Sequence, residues 1–309
     1  MPRNNPKSYF STKEVAEFLG VNEKVVYQLI TEKGLPATKV TGKWLFPKHL
    51  VEAWLEKHVI NHPGLGAETR ENLLVIIGSN DPLLEKTIAL YNRRYPDSPA
   101  VFASVGSMGG LRALSKRLCH IATAHLMEED EREYNFAYLQ ERVEGPLPAV
   151  VNFCFREQGI LLPPGNPQGI YSIADLVEKK LKVALRPEGT GTRILLEHEL
   201  QKIGFSSKDL EGEEYNSHLE VGLAIFTGKA QAGIAIKAVA NLLGLDFIPV
   251  KQERYDLLIP KEFFFQENVQ FFLALLQGDE FKDLASSLAG YNVKLAGRVI
   301  FPGSKTLEK

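Results

Sequence analysis

The stretch RPEGTGTRILLEHEL, from Arg186 to Leu200, places two glycines and two threonines in front of a helical pattern. The apolar segment KVAL precedes it, and Ile194, Leu195 and Leu200 follow at helical spacing. The sequence therefore predicts a strand, a glycine-containing turn and a helix. Free backbone N–H groups and the helix dipole favour negative charge at such a helix start, so an anion is the first candidate ligand.

Two nucleotide-binding motifs are absent from this turn. The dinucleotide fingerprint needs a third glycine where Ile194 stands, and no lysine follows Gly189 and Gly191 as the phosphate loop requires. A nucleotide is therefore disfavoured. A small anion and an ordinary strand-to-helix turn both remain open.

Composition favours a globular protein of about two domains, because the chain has 309 residues and is 44% hydrophobic. No apolar run approaches the roughly 18 residues that suggest a membrane span, and the N-terminus lacks an apolar export signal. Cys119 and Cys154 are too few for a disulfide framework and lack metal-ligand spacing. We expect a cytoplasmic protein with no membrane contact, no metal and no cofactor.

The first sixty residues carry dense helix signals. Ser11 and Glu14 form a capping box that opens a short helix, and Gly20 closes it. Asn22 can cap a second helix that runs to Lys33. Two short helices joined by a tight turn are typical of a helix-turn-helix, whose second helix enters the major groove of DNA.

A hairpin and a third helix complete this region. The segment ATKVTGKWLF alternates around Thr41 and Gly42, and a helix with an apolar face follows Pro47. Residues 9–57 resemble the excisionase-type winged helix-turn-helix, related to the MerR group. The resemblance implies that DNA is contacted by Asn22, Lys24, Tyr27, Gln28, Lys39 and Lys43.

The net charge of this region is positive but small, and it is compatible with DNA binding. Residues 1–60 contain nine Lys and Arg against six Asp and Glu, whereas the remainder is net negative. One module with so few cations makes few phosphate contacts, so we expect a homodimer on double-stranded DNA with paired half-sites. The aromatic ring of Trp44 is expected to pack in the core of the module.

Beyond a polar linker at residues 61–72, the chain alternates strands with helices. LLVIIG, HIATAHL and KVAL read as buried strands, and PAVVNFCFREQGILLPPGNP reads as an extended crossing between lobes. The chain returns through RYDLLIP. We therefore predict a 1–60 DNA-binding domain and a 73–309 α/β domain of two lobes, with a ligand cleft between them.

Three turns rich in glycine and hydroxyl groups precede helices and should face this cleft. They are residues 78–81, 106–110 and 189–193. Backbone N–H groups and neutral hydroxyls suit a small dehydrated oxyanion, because they surround it with donors. Asp81 is expected to cap a helix, since a carboxylate beside an oxyanion costs energy.

Residues 73–300 resemble the periplasmic-binding-protein-like domain, type II, of cytoplasmic regulators related to molybdate and tungstate binding proteins. The matching segments include GSNDP, SVGSMGGLRAL, HIATAHL, EGTGTR, YNSHLEVGLAIFTGKAQAGIAI and ERYDLLIP. The resemblance implies a ligand site formed by Ser79, Asn80, Ser107, Met108, Thr190, Gly191, Thr192, Arg193, Tyr215, Ser217 and His218. Two alternatives stay open: Arg193 can instead form a salt bridge within its lobe, and His218 can instead be a satisfied cap residue.

These observations predict a one-component transcriptional regulator that senses a small oxyanion, most simply molybdate or tungstate. One alternative keeps the architecture but gives the cleft an organic ligand, and another is an accessory protein of molybdenum cofactor assembly. An enzyme is disfavoured, because Ser107 in GSMGG lacks the nucleophile-elbow spacing and no paired carboxylates stand out.

Overall fold

The computed structural model describes residues 8–40, 42–58, 72–128, 131, 133–143 and 145–303. The chain divides into two compact units, Met1–Ala67 and Glu68–Lys309. Thr41 of the predicted hairpin turn and residues 61–71 of the predicted linker lie outside the described residues.

The N-terminal unit contains three helices and a small sheet among its described residues. In chain order these are β1 (Tyr9–Ser11), α1 (Thr12–Leu19), α2 (Glu23–Lys33), β2 (Thr38–Val40), β3 (Lys43–Pro47) and α3 (Lys48–Lys57). The sheet order is β1-β3-β2, with both pairs antiparallel. The predicted helix-turn-helix is confirmed.

Local capping explains where these helices begin and end. Ser11 accepts from Glu14 N while the Glu14 carboxylate accepts from Ser11 N, and Asn22 accepts from Val25 N. Gly20 ends α1 with a φ of 67°, a left-handed conformation that costs glycine little. The core behind them includes Val15, Val26 and Phe46, and the partly buried Trp44 packs against it as expected.

The second unit alternates strands and helices as predicted. Its strands are β4 (Leu74–Gly78), β5 (Ala100–Ser104), β6 (Ile121–Ala124), β7 (Ala149–Leu162), β8 (Lys182–Leu185), β9 (Glu211–Glu214), β10 (Ala232–Ile236), β11 (Asp246–Ile259), β12 (Tyr291–Asn292) and β13 (Val299–Ile300). Its helices are α4 (Pro82–Arg94), α5 (Gly106–Ser115), α6 (Phe136–Arg142), α7 (Ile173–Glu178), α8 (Gly191–Lys202), α9 (His218–Phe226), α10 (Lys237–Leu243), α11 (Lys261–Phe264), α12 (Glu267–Leu275) and α13 (Asp279–Leu288), with a short 3₁₀ turn at Ser207–Asp209.

Two long strands join the lobes of this unit. The sheet order is β5-β4-β6-β11-β7-β10-β8-β9, and β7 and β11 pair antiparallel over their length. Lobe one contains the parallel strands β4, β5 and β6, and lobe two contains the parallel strands β8, β9 and β10. The predicted crossing segments are therefore β7 and β11, whose central residues lie where the lobes meet.

Apolar packing holds the helices against the sheet. Leu83, Leu84 and Tyr91 of α4 are fully buried, as are Val221 of α9 and Leu200 of α8. Among the described residues, no helix combines the length and apolar character needed to cross a bilayer.

Candidate functional site

The turns that open α5 and α8 bring the lobes into direct contact. Met108 N donates to Gly189 O at 3.3 Å. A Cβ added at Gly191 would lie 2.5 Å from Cε1 of His125, so only glycine lets the start of α8 approach the imidazole this closely. Two of the three predicted turns thus meet across the lobes.

His125, which follows β6, links the predicted Ser79 and Ser107. Ser79 Oγ lies 3.0 Å from His125 Nε2, and His125 N donates to Ser107 Oγ at 3.3 Å. All three residues are buried. The first two turns therefore converge on one residue, with Ser79 at the His125 imidazole and Ser107 at the His125 backbone N–H.

A charged chain continues from His125 into the shared strands. His125 Nδ1 lies 2.7 Å from Glu253 Oε2, and Arg156 Nε donates to Glu253 Oε1 at 2.5 Å. Arg156 Nη1 donates to Asp81 Oδ2 at 2.5 Å, and Gln158 Nε2 donates to Glu253. Arg156 and Glu253 are cross-strand partners in β7 and β11, so the junction of the lobes carries a buried ion network.

Asp81 does cap α4, as expected, by accepting from Leu83 N and Leu84 N. Its second oxygen meets Arg156, which neutralises the carboxylate. Burial raises the pKa of Glu253, but Arg156 and His125 outweigh burial and hold that pKa at about 2. Both carboxylates are therefore committed to neighbouring groups.

Lobe two contributes Arg186, Thr192 and His218 to this junction. Arg186 Nη1 donates to Tyr215 O at 2.8 Å, while burial and the nearby Arg156 lower the Arg186 pKa to about 10. Burial, followed by the charges of Arg156 and Arg186, lowers the pKa of His218 well below its usual value. The charge of Arg156 in the ion network therefore acts on both Arg186 and His218.

We call this set the interlobe cluster: Ser79, Asn80, Asp81, Ser107, His125, Arg156, Gln158, Arg186, Thr192, His218 and Glu253. Several of its buried polar atoms have no hydrogen-bond partner among the described residues. They are Asn80 Oδ1, Arg156 Nη2, Gln158 Oε1, Arg186 Nε, Thr192 Oγ1 and both ring nitrogens of His218. An unpartnered buried polar group costs about 1–3 kcal/mol, so such a concentration is typical of a ligand site.

Thr190 and Thr192 have different roles. Thr190 Oγ1 accepts from Arg193 N and caps α8, whereas Thr192 Oγ1 is buried without a partner. The helix cap therefore does not need Thr192, whose hydroxyl has no partner within the described residues.

Arg193, Tyr215 and Ser217 are not brought into the cluster. Arg193 donates to Glu197 and to Arg186 O and lies 3.6 Å from Glu214, so its guanidinium is engaged within lobe two. The Tyr215 hydroxyl donates to Glu213, and Ser217 caps α9. Of the three ligand-site residues that the resemblance implies between positions 215 and 218, only His218 lies in the cluster, and its ring makes no capping hydrogen bond.

Sequence reasoning missed His125, Arg156, Gln158, Arg186 and Glu253. For Arg156 the signal was present, because FREQG places charges inside the otherwise apolar β7, where burial demands partners. Two guanidiniums, those of Arg156 and Arg186, therefore accompany the hydroxyl groups at the junction.

A second polar group of side chains joins the lobes near α8. Glu131, His198 and Glu199 have potential metal-ligand atoms within 4.8 Å of one another. However, Glu131 accepts from His198 at 2.9 Å and lies 2.7 Å from Lys202 and 2.6 Å from Lys251. The lysines already match the negative charge, which makes this group a poor cation site.

The predicted DNA-contacting residues share one property in the N-terminal unit: their side chains are exposed. This holds for Asn22, Lys24, Tyr27, Gln28, Lys39 and Lys43. Asn22 is also the cap of α2, and Lys39 Nζ lies 5.6 Å from the centroid of the Trp44 ring.

Comparison with known families agrees with this architecture. The sequence model described as the PBP superfamily domain matches residues 88–277, more than half of the chain. The chain belongs to the PBP superfamily. A second model, the helix-turn-helix domain, matches residues 9–59, so the PBP domain is preceded by a DNA-binding domain.

Two relatives of known sequence match this chain over different lengths. The uncharacterized protein YvgK of Bacillus subtilis strain 168 is 26% identical over 310 residues, covering 96% of this chain and 99% of that protein. An uncharacterized protein from the 5′ region of a 2Fe-2S ferredoxin gene of Clostridium pasteurianum is 27% identical over 110 residues, which are 35% of this chain and 97% of its own.

Solved structures share the fold of the PBP domain. A Clostridium perfringens protein described as a phosphate ABC transporter substrate-binding protein, with bound phosphate, has a TM-score of 0.56 at 13% identity. It covers 70% of this chain and 97% of its own. The ancestral amino acid-binding protein AncCDT-1 has a TM-score of 0.50 at 14% identity over 71% and 96%. At these identities the likeness concerns the fold alone.

Proposed function

We propose that this protein is a DNA-binding transcriptional regulator whose PBP domain senses a small oxyanion in the interlobe cluster. The observation that carries the proposal is the group of unpartnered buried donors on Arg156, Arg186, Thr192 and His218. Guanidinium, hydroxyl and imidazole groups are the donors that bind oxyanions through charge-assisted hydrogen bonds.

Molybdate or tungstate is the ligand that we propose. The segment resemblance supports these anions, and the junction of the lobes offers unpartnered donors from lobe two and from the shared strand β7. Within the same proposal the PBP domain is type II, the N-terminal domain is a winged helix-turn-helix with β2 and β3 as its wing, and the protein is a cytoplasmic homodimer.

The exposed face of α2 supports the DNA-binding part of the proposal. Lys24, Tyr27 and Gln28 are exposed along the second helix of the motif, which is the helix that enters the major groove in such domains. Lys39 and Lys43 extend from the hairpin and would contact phosphates.

A hydrolase is the second candidate function, because one specific arrangement of side chains favours it. Ser79, His125 and Glu253 are hydrogen-bonded in the order nucleophile, base and orienting acid. Against it, Ser79 is 1% exposed and its backbone N–H donates to Thr123 O, so that amide cannot stabilise an oxyanion. Labelling by a fluorophosphonate that is lost in Ser79→Ala would favour the hydrolase over the sensor.

Calorimetry on the full chain tests the sensor. We expect tungstate and molybdate to bind at least about tenfold more tightly than sulfate, since the larger anions fill the same donors better. Phosphate and glutamate serve as competitors for the tetrahedral and the organic alternatives. Tighter binding of glutamate, or no binding of any oxyanion, would overturn the proposal.

The link to DNA needs a separate measurement. Selection of double-stranded sequences by the full chain, with and without tungstate, should recover paired half-sites whose occupancy changes with the anion. Lys24→Ala should reduce binding to the selected sequence more than binding to unrelated DNA. Identical recovery with and without bound tungstate would remove the regulatory role.

A further inference from the structure

The fixed charges of the interlobe cluster cancel. Arg156 pairs with both Asp81 and Glu253, and Arg186 is the second buried cation, so two guanidiniums face two carboxylates. A dianion bound here would add two negative charges that the fixed groups do not match. Because uncompensated charge is costly in a buried site, a further positive charge would strengthen dianion binding beyond what the helix starts and neutral donors supply.

His218 is the side chain best placed to supply that charge. It is 1% exposed, both ring nitrogens are unpartnered, and it interacts electrostatically with Arg156, Arg186 and His125. Burial and the two guanidiniums keep its pKa low, so the imidazole is neutral at pH 7 in the absence of an anion. An anion opposes the field of these guanidiniums and favours the protonated ring.

We propose that His218 takes up a proton as the anion binds, so that the domain binds dianions in preference to monoanions. This rests on the proposed oxyanion-sensing function. The proton comes from solvent, and the protein, the dianion and the proton form one complex in which the added charge is partly cancelled. His218 is thus a residue that determines specificity by charge.

The other charged groups near His218 have settled roles. On its own helix, Glu220 accepts from Asn216 N at the exposed helix start. From the end of β6, His125 is hydrogen-bonded on both ring nitrogens, to Ser79 and to Glu253. Arg156 and Glu253 from the shared strands pair with each other, while Arg186 follows β8 and contributes its fixed positive charge. His218 differs because neither ring nitrogen has a partner.

The experiment uses calorimetry of the full chain with tungstate and with perrhenate. These tetrahedral anions have nearly the same size, but perrhenate carries a single negative charge. Titrations at pH 7 in two buffers of different ionisation enthalpy count the protons taken up. We expect roughly one proton per tungstate and a tungstate affinity that weakens up to about tenfold per pH unit as pH rises.

Two variants test whether the proton uptake and the charge preference depend on His218. His218→Gln should lose most of the proton uptake and reduce the preference for tungstate over perrhenate by roughly tenfold or more. His49→Gln, an exposed histidine of the N-terminal unit, should retain both properties. Thermal melts establish that each variant is folded.

The outcomes distinguish this inference from the proposed function. Tungstate binding without any proton uptake in the wild-type protein, or with uptake unchanged in a folded His218→Gln variant, would overturn the role of His218 while leaving the sensor intact. Equal affinity for tungstate and perrhenate would overturn the charge selectivity. Absence of all oxyanion binding would instead defeat the proposed function itself.

Discussion

The helix-turn-helix unit and the interlobe cluster place their functional residues in opposite ways. In the N-terminal unit, Ser11 and Asn22 cap helices over three residues of sequence, and the side chains expected to meet DNA are exposed. In the cluster, His125 meets Glu253 across 128 residues, and the polar groups are almost completely buried. Local sequence signals determine the exposed residues of the N-terminal unit, whereas the interlobe cluster forms only when segments distant in sequence pack together.

The largest expected difference concerns the buried ion network. Arg156→Met would leave Asp81 and Glu253 without their shared cation, so we expect a loss of about 3–5 kcal/mol in unfolding free energy. Arg117→Met removes an exposed pair with Glu262 at 3.8 Å and should cost at most about 1 kcal/mol. Urea denaturation compares the two variants. Equal losses would show that the buried network is no more important than a surface pair.

The next effect separates ligand binding from stability in α8. Thr192→Val should weaken tungstate binding by about 1.5–3 kcal/mol, because an unpartnered hydroxyl is lost from the proposed site. The unliganded protein should melt at the same temperature or higher, because the change removes a buried hydroxyl that has no partner. Thr190→Val should instead lower stability by about 0.5–2 kcal/mol through loss of the helix cap.

Calorimetry and thermal melts on both threonine variants provide the check. If Thr192→Val lowers the melting temperature but leaves tungstate affinity unchanged, the start of α8 does not contact the anion.

The cluster should also make the unliganded domain sensitive to acid, unlike the N-terminal unit. Burial lowers the pKa of both His125 and His218 in the folded protein. The unfolded chain, with histidine pKa values of about 6.5, therefore binds more protons below that pH. The stability that comes from keeping these two histidines neutral is fully present above about pH 6.5. It is lost as pH falls, by up to about 1.4 kcal/mol per pH unit for each histidine.

Chemical denaturation between pH 5 and 7 tests this slope. His218→Gln should reduce the slope, and His49→Gln should leave it unchanged. A slope unaffected by His218→Gln would mean that the pKa of His218 does not differ between the folded and the unfolded protein.

The smallest effect lies in the N-terminal unit. Ser11→Ala removes the capping box of α1 and should cost about 1 kcal/mol of that unit's stability. Glu32→Ala, an exposed change on α2, should stay within about 0.5 kcal/mol. Thermal unfolding of the helices in residues 8–58 measures the loss of stability in both variants. A smaller loss in Ser11→Ala than in Glu32→Ala would contradict the role of the capping box.

Sequence predicted the helix-turn-helix and the alternating strands because their causes are local. Capping at Ser11 and Asn22, together with apolar strands such as β4 and β6, can be read within a few residues. The predicted hairpin likewise appears as β2 and β3. These elements depend little on which distant segment folds against them.

The cluster could be predicted only in part. Ser79, Ser107 and Thr192 were found because glycine turns at helix starts leave a recognisable pattern. Arg156 and Glu253 depend on the cross-strand register of β7 and β11, which no local pattern reveals. Arg193 was an obvious cation beside the turn, but Glu197 and Glu214 hold it within lobe two, and Arg186 lies at the junction instead.

The proposed oxyanion site depends on the interlobe cluster, and on Arg186 in particular. Arg186→Met and Arg193→Met each remove one largely buried guanidinium from lobe two, and calorimetry with tungstate compares them directly. We expect Arg186→Met to weaken tungstate binding roughly ten- to hundredfold, because a charged donor to the anion is lost, while Arg193→Met changes affinity by less than about threefold. Equal losses in the two variants, or a greater loss in Arg193→Met, would contradict the placement of the site.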